Sequence, residues 1–256
     1  MASSSRSLEE VCAALMLKEE EAGGIELEAE DVVENSECLK FAAVERLLTD
    51  QPKKFQIMRD TLAGAWRPGK GVTIKELPLN LMLFQFYHEF DLMRVLEDGP
   101  WVFEQNLVLI KRVEENQSLL DVELNVAEFW VQVHNLPLGF MSARVAEAVG
   151  NHIGCFVKAD QRNFDGPWKT FMRVRVALNV GKPLKRKMKI KKPRGEWYWV
   201  EFKYERLPTF FFECGVLGHS ERFCGKHFEV GGAVGEKLYG AWLRAPGHRS
   251  TATLGQ

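Results

Sequence analysis

Residues 52–113 read PKKFQIMRDTLAGAWRPGKGVTIKELPLNLMLFQFYHEFDLMRVLEDGPWVFEQNLVLIKRV, and the hydrophobic period switches repeatedly along them. Phe55, Met58, Leu62 and Trp66 fall at helical spacing, and the run stops at the Pro68-Gly69 break. GVTIKEL and NLMLFQFYH read as strands, with the Leu-Pro-Leu-Asn turn between them suggesting a hairpin. EFDLMRVLED is a short amphipathic helix closed by Gly99-Pro100-Trp101, and FEQNLVLIKRV is a final strand. The preceding FAAVERLLTD fits either period. Taken as a strand, it completes the order βαββαβ. This predicts an α+β fold, an RRM-like or ferredoxin-like split βαβ domain with two helices on one sheet face and the other face free to meet a ligand.

Toward the C-terminus the same grammar returns. FWVQVHNLP is a strand ending in a turn, SARVAEAVGNHIG a helix with Ser142 as N-cap, and CFVKAD and TFMRVRVALNV two further strands. A basic run follows, and GEWYWVEFKYERLP closes the module as a long aromatic strand. The pattern predicts a second, partial α+β domain with a basic loop where the second helix would stand. The resulting organisation is an acidic flexible arm over 1–37, the first domain over 38–115, the second over 126–208, a degenerate CCHC zinc knuckle over 209–226 and a tail over 227–256.

Charge is distributed unevenly. Residues 1–50 hold four basic against thirteen acidic side chains, a net of −9, whereas residues 161–226 hold sixteen against six, a net of +10. A basic body gains free energy by displacing counterions from phosphates, although two solvated surfaces of opposite sign would give the same pattern. No run of about 18 apolar residues appears, and the Met-Ala-Ser-Ser-Ser start lacks a signal-peptide pattern, so the expectation is an intracellular protein, nuclear or cytoplasmic, with no membrane partner. Five scattered cysteines argue for reduced thiols over a disulfide framework.

The sharpest local signal is FFECGVLGHSERFC at 211–224. Cys214, His219 and Cys224 have the spacing of the last three ligands of a C-x2-C-x4-H-x4-C knuckle, in which thiolates and an imidazole bind zinc tetrahedrally, and Gly215 and Gly218 suit so tight a loop. Phe211 stands where the first cysteine belongs and cannot donate to a metal. Three readings stay open: zinc held by three residues with water or a further ligand such as His227; a metal-free loop packed through Phe210, Phe211 and Phe212; or chance spacing.

A second signal is the basic run. Lys182, Lys185, Arg186, Lys187, Lys189, Lys191, Lys192 and Arg194 occupy residues 182–194 without one acidic residue, and Trp197, Tyr198, Trp199, Phe202 and Tyr204 follow at once. Cations track a phosphate backbone while rings stack on bases, which is what a single-strand groove requires. Strand alternation should bury most of Tyr198, Phe202 and Tyr204 and leave Trp197 or Trp199 on the open face. The run also suits a nuclear import signal.

Together these stretches resemble a known family: plant proteins with domain of unknown function 4283 followed by a CCHC zinc knuckle, related to the Gag-like first proteins of LINE-type retroelements. AGAWRPGKGVTIKEL, FYHEFDLMRVLEDGPW, WVQVHNLPLGFMSARVAEAVGNHIG, RVRVALNVGKPLKR and FKYERLPTF carry the resemblance, which runs from Leu39 to Cys224 and on to YGAWLRAPG. It implies binding of nucleic acid and of zinc, with Cys214, His219 and Cys224 on the ligand positions and Phe212 and Leu217 where the family stacks on bases. Phe211 departs from the pattern.

No phosphate-cradling glycine loop, nucleophile elbow, paired-carboxylate site or His-Glu-x-x-His helix is present. The expectation is therefore a binder of RNA or single-stranded DNA, with no small-molecule substrate and no enzymatic activity. The rivals are a protein-interaction or self-association module and a retroelement remnant without a selected role.

Overall fold

The computed structural model describes residues 24, 40–51, 54–114, 117–166, 169–219, 224 and 238–246. The acidic arm, His227 and most of the C-terminal tail lie outside the described residues.

The ambiguous stretch after Lys40 is a strand, β1 (Ala42–Leu48), and it runs through the middle of the first sheet. There follow α1 (Phe55–Trp66), β2 (Val72–Leu77), β3 (Leu81–Phe86), α2 (Glu89–Glu97), β4 (Trp101–Phe103) and β5 (Asn106–Arg112). The sheet order β2-β3-β1-β5-β4 is antiparallel throughout and is that of the RRM-like split βαβ fold, with β4 added outside β5. The segment read as one strand from Phe103 is preceded by β4, a short partner turned back through Glu104 and Gln105. Both have positive φ, so nothing like Asn-Gly marked the turn.

The helix face of this sheet holds Met58, Leu62 and Trp66 of α1, Leu92 and Val95 of α2, and Ala43, Met82, Phe84 and Val108 of the strands. Trp66 meets Phe84 edge-on at 4.7 Å and Trp101 at 5.9 Å. The opposite face, expected to be free for a ligand, is buried. Ala42, Val44, Leu81, Leu83, Leu107 and Leu109 belong to a second core with Val122 and Leu124 of the connecting segment and Phe210 and Leu217 of the knuckle segment. Apolar side chains on both faces of β1, β3 and β5 require cover on both sides, and the chain supplies it.

The second module repeats the topology: β6 (Val126–His134), α3 (Ala143–Ile153), β7 (Cys155–Ala159), β8 (Phe171–Asn179), β9 (Lys187–Ile190) and β10 (Tyr198–Tyr204), in sheet order β7-β8-β6-β10-β9. Ser142 caps α3, its Oγ accepting from Val145 N at 3.3 Å. No helix stands between β8 and β9. The core on that side is completed by Leu184, Leu207, Phe210, Leu217 and Leu243, packed with Phe129, Val131, Val174, Phe202 and Tyr204. The middle of the basic run also departs from expectation: Lys187–Ile190 is a strand, because Met188 and Ile190 alternate inward between the lysines.

Candidate nucleic-acid interface

Alternation along β10 sends Val200, Phe202 and Tyr204 into the core and leaves Trp199, Glu201 and Lys203 on the opposite face. Lys187 and Lys189 of β9 share that face, with Trp199 opposite Lys189 and Glu201 opposite Lys187. The Lys187 and Lys189 ammonium groups lie 4.6 and 5.0 Å from the Trp199 ring centre, and Lys191 lies 4.7 Å from that of Trp197. Both indoles are half exposed, Trp197 at 58% and Trp199 at 50%. Tyr198 departs from the buried set at 43% exposure, its ring meeting Phe140 at 6.5 Å, whereas Phe202 and Tyr204 are fully enclosed. Burial raises the Tyr204 phenol's pKa, and its hydroxyl donates to Lys185 O at 2.7 Å.

The eight cations of the basic run do not converge on one surface. Lys185 donates to His152 O, Arg186 to Leu238 O at 2.6 Å and Lys192 to Leu138 O at 3.3 Å. Arg186 also lies over Tyr239 and Lys192 over Phe140. Lys182 lines a separate cleft with His152 and Cys155 at the end of α3, and Arg194 sits in the exposed β9–β10 turn. Lys187, Lys189 and Lys191 are the ones grouped with the tryptophans.

The same face continues onto β6 and β8 through residues that the sequence reading passed over. His134 pairs with Phe171 in register, their ring centres 5.3 Å apart. Partial burial, with Lys203 nearby, lowers the His134 pKa and favours the neutral imidazole. Further in, the Arg173 guanidinium lies 3.8 Å over the Trp130 ring, and Arg175 is at 5.8 Å. Arg173 Nε and Nη2 donate to the two Glu205 carboxylate oxygens at 2.9 and 2.8 Å, and Nη1 donates to Asp160 Oδ2 at 2.9 Å. Arg175 donates to Glu128 at 2.6 Å and to the carbonyls of Leu96 and Glu97 at the end of α2. The signal for this face was available: in FWVQVH and FMRVRV every second residue is aliphatic or buried, so the intervening ones must face outward.

In the knuckle segment, Cys214 and Cys224 are 5% and 3% exposed and His219 is half-buried. The three donor atoms lie within 4.8 Å of one another, and Cys214 Sγ is 3.3 Å from His219 Nε2. Val216 N donates to Cys214 Sγ at 3.4 Å, the backbone-to-sulfur bond that a tight ligand loop makes. Gly215 and Gly218 both have positive φ, and a Cβ on Gly218 would come within 2.1 Å of Leu48. A tetrahedral zinc needs donors roughly 3.5–3.8 Å apart, so these three fit such an ion. The fourth position does not. Phe211 accepts from Gly215 N at 2.8 Å and turns its ring edge-on toward His219 at 6.1 Å, offering no lone pair. Leu217 is buried and presents no stacking surface, whereas Phe212 is partly exposed and packs beside Phe210 at 5.1 Å.

Residues 35–119 match the family model "Domain of unknown function (DUF4283)", and residues 178–226 match "Zinc knuckle", a stretch that takes in β9 and β10 as well as the cysteines. The chain is thus similar to DUF4283 over its first sheet and to a zinc knuckle over the later stretch. An uncharacterized Arabidopsis thaliana protein is 27% identical over 134 residues, covering 52% of this chain and 42% of that one, so the chain spans less than half of that relative. Among solved structures, the first two RRM domains of the yeast poly(U)-binding protein Pub1 align over 64% of this chain and 98% of theirs at 12% identity and a TM-score of 0.24. RNA recognition domains 1 and 2 of Drosophila melanogaster Sex-lethal align over 53% and 84% at 13% identity and a TM-score of 0.23. Residues 35–119 hold the first sheet, and the exposed lysines and tryptophans lie in the later matched stretch, residues 178–226.

Proposed function

We propose that this chain binds single-stranded nucleic acid, RNA or DNA, through the β9–β10 hairpin and the adjoining open face of the second sheet, as a Gag-like binder and not a catalyst. The supporting observation is the interleaving of Lys187, Lys189 and Lys191 with the half-exposed rings of Trp197 and Trp199. Ammonium groups placed there neutralise phosphates, and each ring offers a base about 1–3 kcal/mol of sequence-tolerant stacking. Among the described residues the knuckle segment joins the core with three zinc donors, and the hairpin interface uses none of them. The resemblance to retroelement Gag-like proteins and the match to a zinc-knuckle family support the same reading.

The test is the salt dependence of affinity for an unstructured oligonucleotide. Replacing Lys187, Lys189 and Lys191 together by Ala should weaken binding at low salt and flatten the log–log slope by about 2, three phosphate contacts at roughly 0.7 each. The same treatment of Lys185 and Arg186, which are committed to backbone carbonyls, should change the slope much less. An unchanged slope in the triple variant would refute the assignment.

A further inference from the structure

The open face of the second sheet is divided into two halves of different chemistry. In the outer half, Trp197 and Trp199 are two residues apart, about 7 Å along the strand, and His134 and Phe171 lie one step further along and one and two strands across. Lys187, Lys189, Lys191 and Lys203 surround these rings. Glu201 also lies on this path, opposite Lys187 and beside His134.

In the inner half the Trp130, Gln132, Arg173 and Arg175 side chains are already committed. The Trp130 ring carries the Arg173 guanidinium at 3.8 Å, in the position a stacked base would take. Nε, Nη1 and Nη2 of Arg173 are bonded to Glu205 and Asp160, and Gln132 Nε2 also donates to Glu205 at 2.9 Å. Arg175 is buried and bound to Glu128 and to the end of α2. The carboxylates of Asp160, Glu205 and Glu128 would repel a phosphate approaching here.

We infer that the bound strand enters at Trp197 and ends at His134 and Phe171, where Arg173 closes the track by stacking on Trp130, so that the site holds a run of about four nucleotides. This rests on the nucleic-acid reading above and adds to it the inner limit of the site and the residue that sets it. Arg173 is here a specificity-determining residue: it contacts no ligand, and it excludes one from Trp130.

Photocrosslinking of the full chain to an octanucleotide of 4-thiouridine, read by peptide mass spectrometry, tests the claim beside a length series of oligouridylates. Adducts are expected at Trp197 or Trp199 and at Phe171, with none at Trp130, and affinity should level off at about four nucleotides apart from the statistical gain of extra registers. Arg173→Lys keeps a cation for Glu205 but has no plane to lie on the indole; it should add an adduct at Trp130 and lengthen the plateau by about one to two nucleotides. A Trp130 adduct in the unaltered chain, or affinity still rising steeply from about 6 to 10 nucleotides, overturns the inferred limit. Adducts on the tryptophans without Phe171 overturn the inner end and leave the hairpin interface standing. No adduct at any of these positions sinks the nucleic-acid reading itself.

Discussion

Asp91 receives the amide hydrogens of Gly69 and Lys70 at 2.9 and 3.0 Å, tying the loop after α1 to the first turn of α2. These two bonds, with Arg94 close by, outweigh burial and hold the Asp91 carboxyl below its usual range. Asp160 is held low as well: burial opposes its ionisation, and the Arg162 amide and the Arg173 guanidinium more than offset it. A carboxyl depressed in the folded state contributes stability above its unfolded pKa, near 4, and that contribution is lost as pH falls through the lower folded value. Thermal unfolding should therefore be nearly flat with respect to these groups from neutrality to about pH 5 and then fall, and Asp91→Asn should lower the melting temperature at pH 7 while shrinking the acid-side drop. Calorimetry at a series of pH values checks both. At this scale the sequence was legible where one residue type has one job: Ser142 caps α3, and Phe211 breaks the ligand set. It was silent on Asp91, whose partners are backbone amides twenty residues away.

Among the elements, those with a strong apolar period were readable and those built on charge were not. α1, α2 and α3 lie where the spacing of Met58 and Leu62, Leu92 and Val95, and Val149 and Ile153 put them. The strand β9 was hidden because only Met188 and Ile190 point inward from a run of lysines, and β4 because its turn uses Glu104 and Gln105. The knuckle illustrates the difference between spacing and coordination. Three donors are gathered within 4.8 Å, yet the segment is secured by apolar contact, with Phe210 paired to Leu217 and Gly218 against Leu48. Phe211→Cys should restore a fourth ligand. Elemental analysis should then find stoichiometric zinc in the variant and little in the parent, and a chelator should lower the melting temperature of the variant alone. Equal zinc in both proteins would show that three donors suffice.

Across the whole molecule, the two modules share one apolar core. Arg46 of β1 donates to Leu124 O at 2.6 Å, Gln105 O accepts from Thr209 N at 2.8 Å, and Val122 and Leu124 are buried between the sheets' side chains. The repeat of the split βαβ order was legible in part: the period placed β6, α3, β7, β8 and β10 but not β9. What was not legible was that the knuckle segment would cover the first sheet, because nothing local distinguishes an apolar face that meets a ligand from one that meets the rest of the chain. A fragment ending near Glu114 should accordingly expose Ala42, Val44, Leu83 and Leu109 to water; dye binding and light scattering should show it sticky or aggregated, whereas the intact chain stays monodisperse.

The covered sheet bears on how such a protein can diverge. A tandem pair joined by a loose tether can lose, duplicate or exchange either half, but here each half is the other's lid. Insertions, deletions and recombination breakpoints between Val113 and Leu124 would uncap both, so descendants of this chain can change length in exposed turns such as β9–β10 and hardly at all across the seam.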